Sequence, residues 1–215
     1  MVKHVALVSQ ASQITPAQLS RVAAALQRQV ARDFGPIWQI QATVDAFPTL
    51  KDVPLGYWPI VIKEKIDNPN AAGYHKTSHG QPLSLVKYAD DWALTCSHEL
   101  LEMLADPSGD RIHPGRSPVP GQGRVEFLVE VCDPSEDARF AYSVNGVTVS
   151  DFYTPHYFDP VANPSVRYSF TGAIDKPRTV LEGGYLSWVE PVSGHLWQET
   201  WFEGDKPVFV DRSTP

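Results

Sequence analysis

Thr95-Cys96-Ser97-His98-Glu99-Leu100-Leu101-Glu102-Met103-Leu104-Ala105-Asp106 is the stretch on which the reading of this chain turns. At about 100° of rotation per helical residue, Leu94, Leu100, Leu101, Met103, Leu104 and Ala105 cover an apolar side. Thr95, His98, Glu99, Glu102 and Asp106 gather in a sector only about 100° wide. That sector holds three carboxyl groups and an imidazole, with neither Lys nor Arg. A solvated helix face mixes both signs, because opposite charges at i,i+4 stabilise it. Asp106 also stands at the helix C-terminus just before Pro107, where the macrodipole disfavours an anion. A bound cation would remove both objections. Without one, the same residues read as a core-edge histidine, a surface carboxylate at 99, and a buried Glu102 paired with Arg111 or Arg124.

His98 and Glu102 are i,i+4 neighbours that can reach one ion, while Glu99 points to its side. The His-Glu-x-x-His pattern uses that geometry: two ligands on a helix and a Glu placed to take a proton from water at the metal. Here Glu102 stands where the second His would be. Carboxylate oxygen still suits zinc, but its added negative charge makes Mn²⁺ or Ca²⁺ more competitive. We therefore expect one divalent metal, with zinc the first choice.

Outward from this helix, residues 83–88 read as a short strand, and Asp90 or Asp91 caps the helix, which runs to Ala105. Upstream, residues 3–9 form a buried strand. Thr15-Pro16 opens an amphipathic helix over 16–33, ending near Gly35-Pro36. Two β-rich stretches, 38–47 and 57–66, precede a turn at Asn68-Pro69-Asn70. Downstream, the prolines and glycines of 107–123 predict a long loop, and Val125, Leu128, Val129 and Cys132 predict a short helix over 124–133. Asn145-Gly146 between 140–144 and 147–151 predicts a type I′ hairpin. Short strands and turns fill the remainder, so the fold class is α+β. The expected division is 1–106, with the motif helix, and 107–215, rich in loops and strands.

Composition narrows the function classes. A length of 215 residues allows one large domain or two small ones, and 42% hydrophobic content suffices for a core. A formal net charge of −7 argues against a surface for nucleic-acid phosphates or anionic lipid, so neither nucleic acid nor membrane is an expected partner. No run of 18 apolar residues occurs. The opening Met1-Val2-Lys3-His4-Val5-Ala6-Leu7-Val8-Ser9-Gln10 turns polar too soon for a secretory leader, which leads us to expect a cytoplasmic or phage-associated protein. Cys96 and Cys132 make no disulfide framework and read as buried thiols.

His98-Glu99-Leu100-Leu101-Glu102, after a strand at 83–88 and a strand–helix–strand–strand lead-in, resembles the N-terminal half of the zincin metallopeptidases. More narrowly, residues 97–107, with Gly73-Tyr74-His75 upstream and Glu130-Val131-Cys132-Asp133 downstream, are similar to a group of bacterial and phage-encoded zincin-like proteins. The broader resemblance covers residues 1–135. The narrower one extends through the hairpin region and Gly183-Gly184-Tyr185. The five-residue motif recurs by chance in many helices, and its position in the element order is what gives it weight.

The resemblance implies a zincin-like N-terminal subdomain, with a mixed sheet and two helices, and a C-terminal part that completes the site. It also implies peptide-bond hydrolysis, with a peptide or protein substrate aligned by an edge strand before the motif helix. Glu99 would be the general base, and His98 and Glu102 metal ligands. The third ligand would be Glu130, on a helix face shared with Glu126 and Asp133. Asp106 and Asp133 are second choices, as ligands or as carboxylates orienting His98. Tyr153, His156 and Tyr157 are candidates for stabilising the oxyanion or touching substrate. His75, His79, His113 and His195 are scattered and read as structural. No His-x-x-Gly-x-x-His/Asp extension follows the motif. Two alternatives remain: an inactive scaffold whose metal site is structural, serving as a binding module, and hydrolysis of a non-peptide amide or ester.

Overall fold

A computed structural model describes residues 1–213 and divides into two units. The first comprises Met1–Gly109 with Ala141–Ser150; the second comprises Asp110–Phe140 and the chain from Asp151 onward. Helices pack on a mixed sheet in the first and an antiparallel sheet dominates the second, so the chain is α+β. No described helix is long and apolar enough to cross a membrane.

β1 (Lys3–Ser9) buries Val5, Ala6, Leu7 and Val8 in succession, as a strand covered on both faces must. In α1 (Pro16–Gln29), Thr15 and Gln18 form a reciprocal capping box, and Leu19, Val22, Ala23 and Leu26 are buried. The helical path then continues beyond the expected stop, through a π-helical turn at Val30–Phe34 into α2 (Gly35–Trp38). Pro36 fits there because it begins a new helical turn, where its missing N–H is not needed. Gly35 fits because a Cβ would lie 2.7 Å from the Val30 carbonyl oxygen and 2.6 Å from that of Ile40. Gln39, at φ 55°, ends the turn, so the strand expected from residue 38 begins only at β2 (Ala42–Phe47).

β3 (Trp58–Lys63), β4 (Gly73–Ser78) and β5 (Gln81–Lys87) complete a sheet ordered β2-β1-β3-β5-β4. β1, β2, β3 and β5 are parallel, while β4 runs antiparallel to β5. The β4–β5 connection is His79-Gly80, both at positive φ (51° and 79°), a two-residue turn whose twist suits a hairpin. The strand before the motif helix is therefore not the edge strand: β5 is interior, and β4, absent from the sequence reading, ends the sheet. α3 (Trp92–Ala105) follows β5 and buries Cys96, Leu100, Leu101, Met103 and Leu104.

The second unit begins with β6 (Ile112–Arg116), inside the region expected to be loop, paired with β7 (Arg124–Leu128). The helix expected over 124–133 does not form. Val125 and Phe127 alternate as buried residues with the more exposed Arg124, Glu126 and Leu128, and this period of two prevails over the helical spacing of the valines. The chain then returns to the first unit for the hairpin β8 (Tyr142–Val144) and β9 (Val147–Val149), turned at Asn145 (φ 51°) and Gly146 (φ 71°). The expected boundary at 106/107 lies beside Gly109, and the hairpin belongs with the residues before it.

β10 (Tyr185–Glu190), β11 (His195–Thr200) and β12 (Val208–Asp211) finish the second sheet, ordered β12-β11-β10-β7-β6. Its core is aromatic. Phe127 lies 5.9 Å from Trp188 and 5.6 Å from Phe158, ring centre to ring centre, within the range over which aromatic side chains pack against one another.

Candidate metal centre

α3 and β4 build the site within the first unit. One helical turn separates His98 from Glu102, and Nε2 of the first lies 3.1 Å from Oε2 of the second. From β4, His75 Nδ1 lies 3.9 Å from Glu99 Oε2 and 4.0 Å from Glu102 Oε2. Glu102 is thus the carboxylate common to both histidines. The side chains of His75, Glu99 and Glu102 are about 5–6% exposed and that of His98 is 15% exposed.

Strand and helix geometry together explain the cluster. Gly73, His75 and Thr77 share one face of β4, because side chains alternate along a strand. A Cβ at Gly73 would lie 2.7 Å from Glu99 Oε1 and 2.9 Å from Thr95 Cγ2, so the missing side chain makes the room that Glu99 occupies. His75 follows on the same face, and the Thr77 hydroxyl donates to the Pro107 carbonyl at 3.0 Å, just past the end of α3. On the side of α3 that carries Ser97, the Ser97 hydroxyl donates to Gln29 Oε1 (2.8 Å) and accepts from the Ser150 N–H (2.9 Å), while Gln29 Nε2 donates to the Ser150 carbonyl (3.0 Å). This buried network ties the motif helix to α1 and to the residue after β9.

The donor set fits a divalent ion. Zn–N and Zn–O bonds of about 2.0–2.2 Å in a tetrahedron place donor atoms about 3.4 Å apart. The His98–Glu102 separation of 3.1 Å lies just below that value, and in the separate set centred on His75 the separations of 3.9 and 4.0 Å are longer than it. One donor atom from each of His75, Glu99 and Glu102 lies within 4.8 Å of the others. The helix supplies no Lys or Arg from 92 to 106, and ionised carboxylates buried together need cationic compensation. Asp106 is buried at the C-terminus of α3, where its N–H donates to the Glu102 carbonyl at 2.7 Å.

The remaining expected residues lie in the second unit. Glu130 falls in the irregular stretch after β7. Asp133 opens a short 3₁₀ turn, Asp133–Ser135, and is 3% exposed. With a strand in place of the expected helix, Glu126, Glu130 and Asp133 do not share a helix face. Gly184 presses on this turn: a Cβ there would lie 2.6 Å from the carbonyl oxygens of Asp133 and Pro134. Tyr153 and Tyr157 are fully buried and stacked, ring centres 4.3 Å apart. The Tyr157 hydroxyl donates to the Thr179 carbonyl at 3.2 Å, and burial pushes its acidity well below that of a free phenol. His156 is exposed and pairs with Asp159 at 2.9 Å.

Among the other histidines, His195 pairs with Asp211 at 2.7 Å, and His113 stacks on Phe158 with its pKa lowered by burial. Burial, with the Glu99 charge adding to it, pushes the Cys96 thiol pKa well up, so Cys96 is not a thiolate nucleophile. His75 is the site residue that sequence reasoning missed. The turn at His79-Gly80 was the available signal, since it implies a strand before it that sets Gly73 and His75 on one face. Comparison with protein-family models, curated proteins and solved structures gave no match to this chain.

Proposed function

We propose that this chain is a metal-dependent hydrolase of peptide bonds, with a zincin-like first unit whose ion is held by His98 and Glu102. The observation that carries the proposal is the buried cluster of His75, His98, Glu99 and Glu102, two adjoining histidine–carboxylate sets sharing Glu102. His98 and Glu102 would hold a divalent ion, which when bound would supply Lewis-acid polarisation of a carbonyl and lower the pKa of a water. Glu99, next to His98 in the chain and seated against Gly73, would take the proton from an attacking water and pass it to the leaving nitrogen. His75 is a positioning residue that holds the Glu99 and Glu102 carboxylates. β4 ends the sheet beside the cluster, with no described strand on its outer side, and its backbone suits an extended peptide added as a further strand. Zinc is the first choice of ion; the carboxylate share also suits Mn²⁺ or Ca²⁺.

The test is metal analysis of protein purified without added metal or a polyhistidine tag, beside His98→Ala. About one zinc or manganese per chain, lost in the variant, is the expected result. No metal, or calcium that His98→Ala leaves in place, overturns the reading.

The grouping of His75, Glu99 and Glu102 favours a second reading, in which these three hold a structural ion and the chain serves as a binding module. Glu99 is then a ligand and not a base. His75→Ala separates the two: it empties the site in the second reading, whereas in the first it leaves metal bound and impairs turnover.

A further inference from the structure

The β6–β7 hairpin of the second unit carries a pair of cations that the hydrolase reading does not use. Its ladder hydrogen bonds fall on odd-numbered residues: the Ser117 N–H donates to the Gly123 carbonyl at 2.9 Å, and the Val129 N–H to the Arg111 carbonyl at 3.0 Å. Arg116 and Arg124 stand directly opposite each other between those bonds. They form a non-hydrogen-bonded pair, the kind whose Cα atoms are only about 4.5 Å apart and whose side chains approach most closely. Both are exposed, on the face of the sheet opposite buried Val125 and Phe127. Like charges placed directly opposite across a ladder are destabilising. Among the described residues, no hydrogen bond or ion pair engages either guanidinium, although the chain has 25 Asp and Glu against 18 Lys and Arg. Glu126, the next β7 side chain on the same face, stands opposite Pro114 and pairs with neither arginine.

The hairpin that presents this pair is braced from behind. The Ser117 hydroxyl donates to Gln122 Oε1 (2.6 Å) and accepts from the Val119 N–H (2.9 Å), which holds the loop between the two arginines. The Trp188 indole N–H donates to the same Gln122 oxygen at 3.1 Å. Trp188 is in register with Phe127, so the loop is tied to the buried face of the sheet, away from the arginines. A fixed loop sets the spacing of Arg116 and Arg124 before any ligand arrives, which lowers the ordering cost of binding.

We propose that Arg116 and Arg124 together bind the phosphate of a phosphate monoester, whose organic part lies along the hairpin over Pro114. Two guanidiniums match a group that carries two negative charges, and each planar fork can donate two parallel hydrogen bonds to its oxygens. A monoester carries about −1.5 to −2 charges at pH 7 and three acceptor oxygens. A carboxylate or a nucleic-acid phosphodiester carries one charge and leaves half of the pair uncompensated. Pro114 is exposed and is the next β6 side chain on this face. It lies two residues, about 7 Å, from Arg116, which is the length of an aryl phosphate. Ile112, 44% exposed, extends the same apolar strip.

Titration of the full chain in a phosphate-free buffer of low ionic strength, followed by amide and arginine Nε NMR shifts, tests this. The probes are phenyl phosphate, benzoate, and phosphotyrosine flanked by glycines. Both phosphates should bind with a dissociation constant on the order of millimolar, shifting the Arg116 and Arg124 resonances. Benzoate, with one charge, should bind about tenfold more weakly or not at all. Tighter binding of phenyl phosphate identifies a site for small phosphate esters; tighter binding of the peptide identifies a site for phosphorylated peptide. Arg116→Ala and Arg124→Ala should each weaken binding about tenfold. Neither should lower the urea midpoint, because each relieves a like-charged pair. Glu126→Gln removes a neighbouring negative charge and should tighten binding about two- to threefold. Absence of saturable binding by both phosphates overturns the proposal, as does equally tight binding of benzoate or unchanged affinity in both arginine variants.

Discussion

The carboxylate of Glu99 occupies the space that a side chain on Gly73 would need: a Cβ at residue 73 would fall 2.7 Å from Glu99 Oε1 and 2.9 Å from its Cγ. Only an end strand that omits a side chain at that register lets the helix bring Glu99 this close. Gly73→Ala should therefore push Glu99 away from His75 while leaving His98 and Glu102 on their own turn. Stability should fall by about 1–3 kcal/mol, as for overpacking a tight contact, read as a lower urea midpoint. Any hydrolytic activity should drop more than metal content does. Unchanged midpoint and activity would show that Glu99 tolerates displacement.

Ser97, the residue before His98, fixes the axial rotation of α3 through its bonds to Gln29 and Ser150. Ser97→Ala removes the donor to Gln29 Oε1 and the acceptor used by the Ser150 N–H, both inside the protein. Destabilisation of about 1–3 kcal/mol should follow. Ser97→Cys, with a weak donor of similar size, should lose less. Hydrogen exchange at Ser150 should accelerate in the alanine variant, and unaltered exchange there would contradict the anchoring role.

The elements that the sequence made legible are those with strong local rules. Thr15-Pro16 with Gln18 specifies a helix start, Asn145-Gly146 a hairpin turn, and the apolar side of 92–105 a helix face. β4 was opaque because Tyr74, His75, Lys76, Thr77 and Ser78 have the polarity of a loop, as a partly exposed edge strand can. β7 misled because Val125, Leu128, Val129 and Cys132 happen to fall at helical spacing; buried Phe127 breaks that pattern, and its packing on Trp188 is a long-range contact. The motif half of the site, His98, Glu99 and Glu102, was visible because one helix carries it. His75 was hidden because its place depends on pairing β4 with β5 and on the passage of α3 beside them.

Burial holds the Glu199 proton to about pH 7, whereas the unfolded chain releases it near the ordinary value of 4.5. Between those values the folded state carries more protons, so this residue's contribution is fully present below about pH 4.5 and lost as pH rises through 7. The full shift corresponds to about 3 kcal/mol, and partial exposure brings it to about 1–2 kcal/mol. Glu199→Gln should remove this slope, leaving a urea midpoint that changes less than the wild type's between about pH 5 and pH 8. A wild-type slope that survives in the variant would assign the pH dependence to another group.

Glu102 is the residue on which the two metal readings can be separated most directly, because both histidines approach its carboxylate. Glu102→His restores the two-histidine helix pattern, with an imidazole on the same turn as His98. In the hydrolase reading zinc should be retained or bound more tightly, since imidazole is at least as good a zinc ligand as carboxylate. Glu99→Gln should then leave metal content intact and lower turnover about 10²–10⁴-fold, the usual share of a positioned proton acceptor. In the structural-ion reading Glu99 is itself a ligand, so Glu99→Gln should release the metal and lower the melting temperature. Metal retained with activity lost therefore assigns Glu99 the proton, and metal lost assigns it the ion.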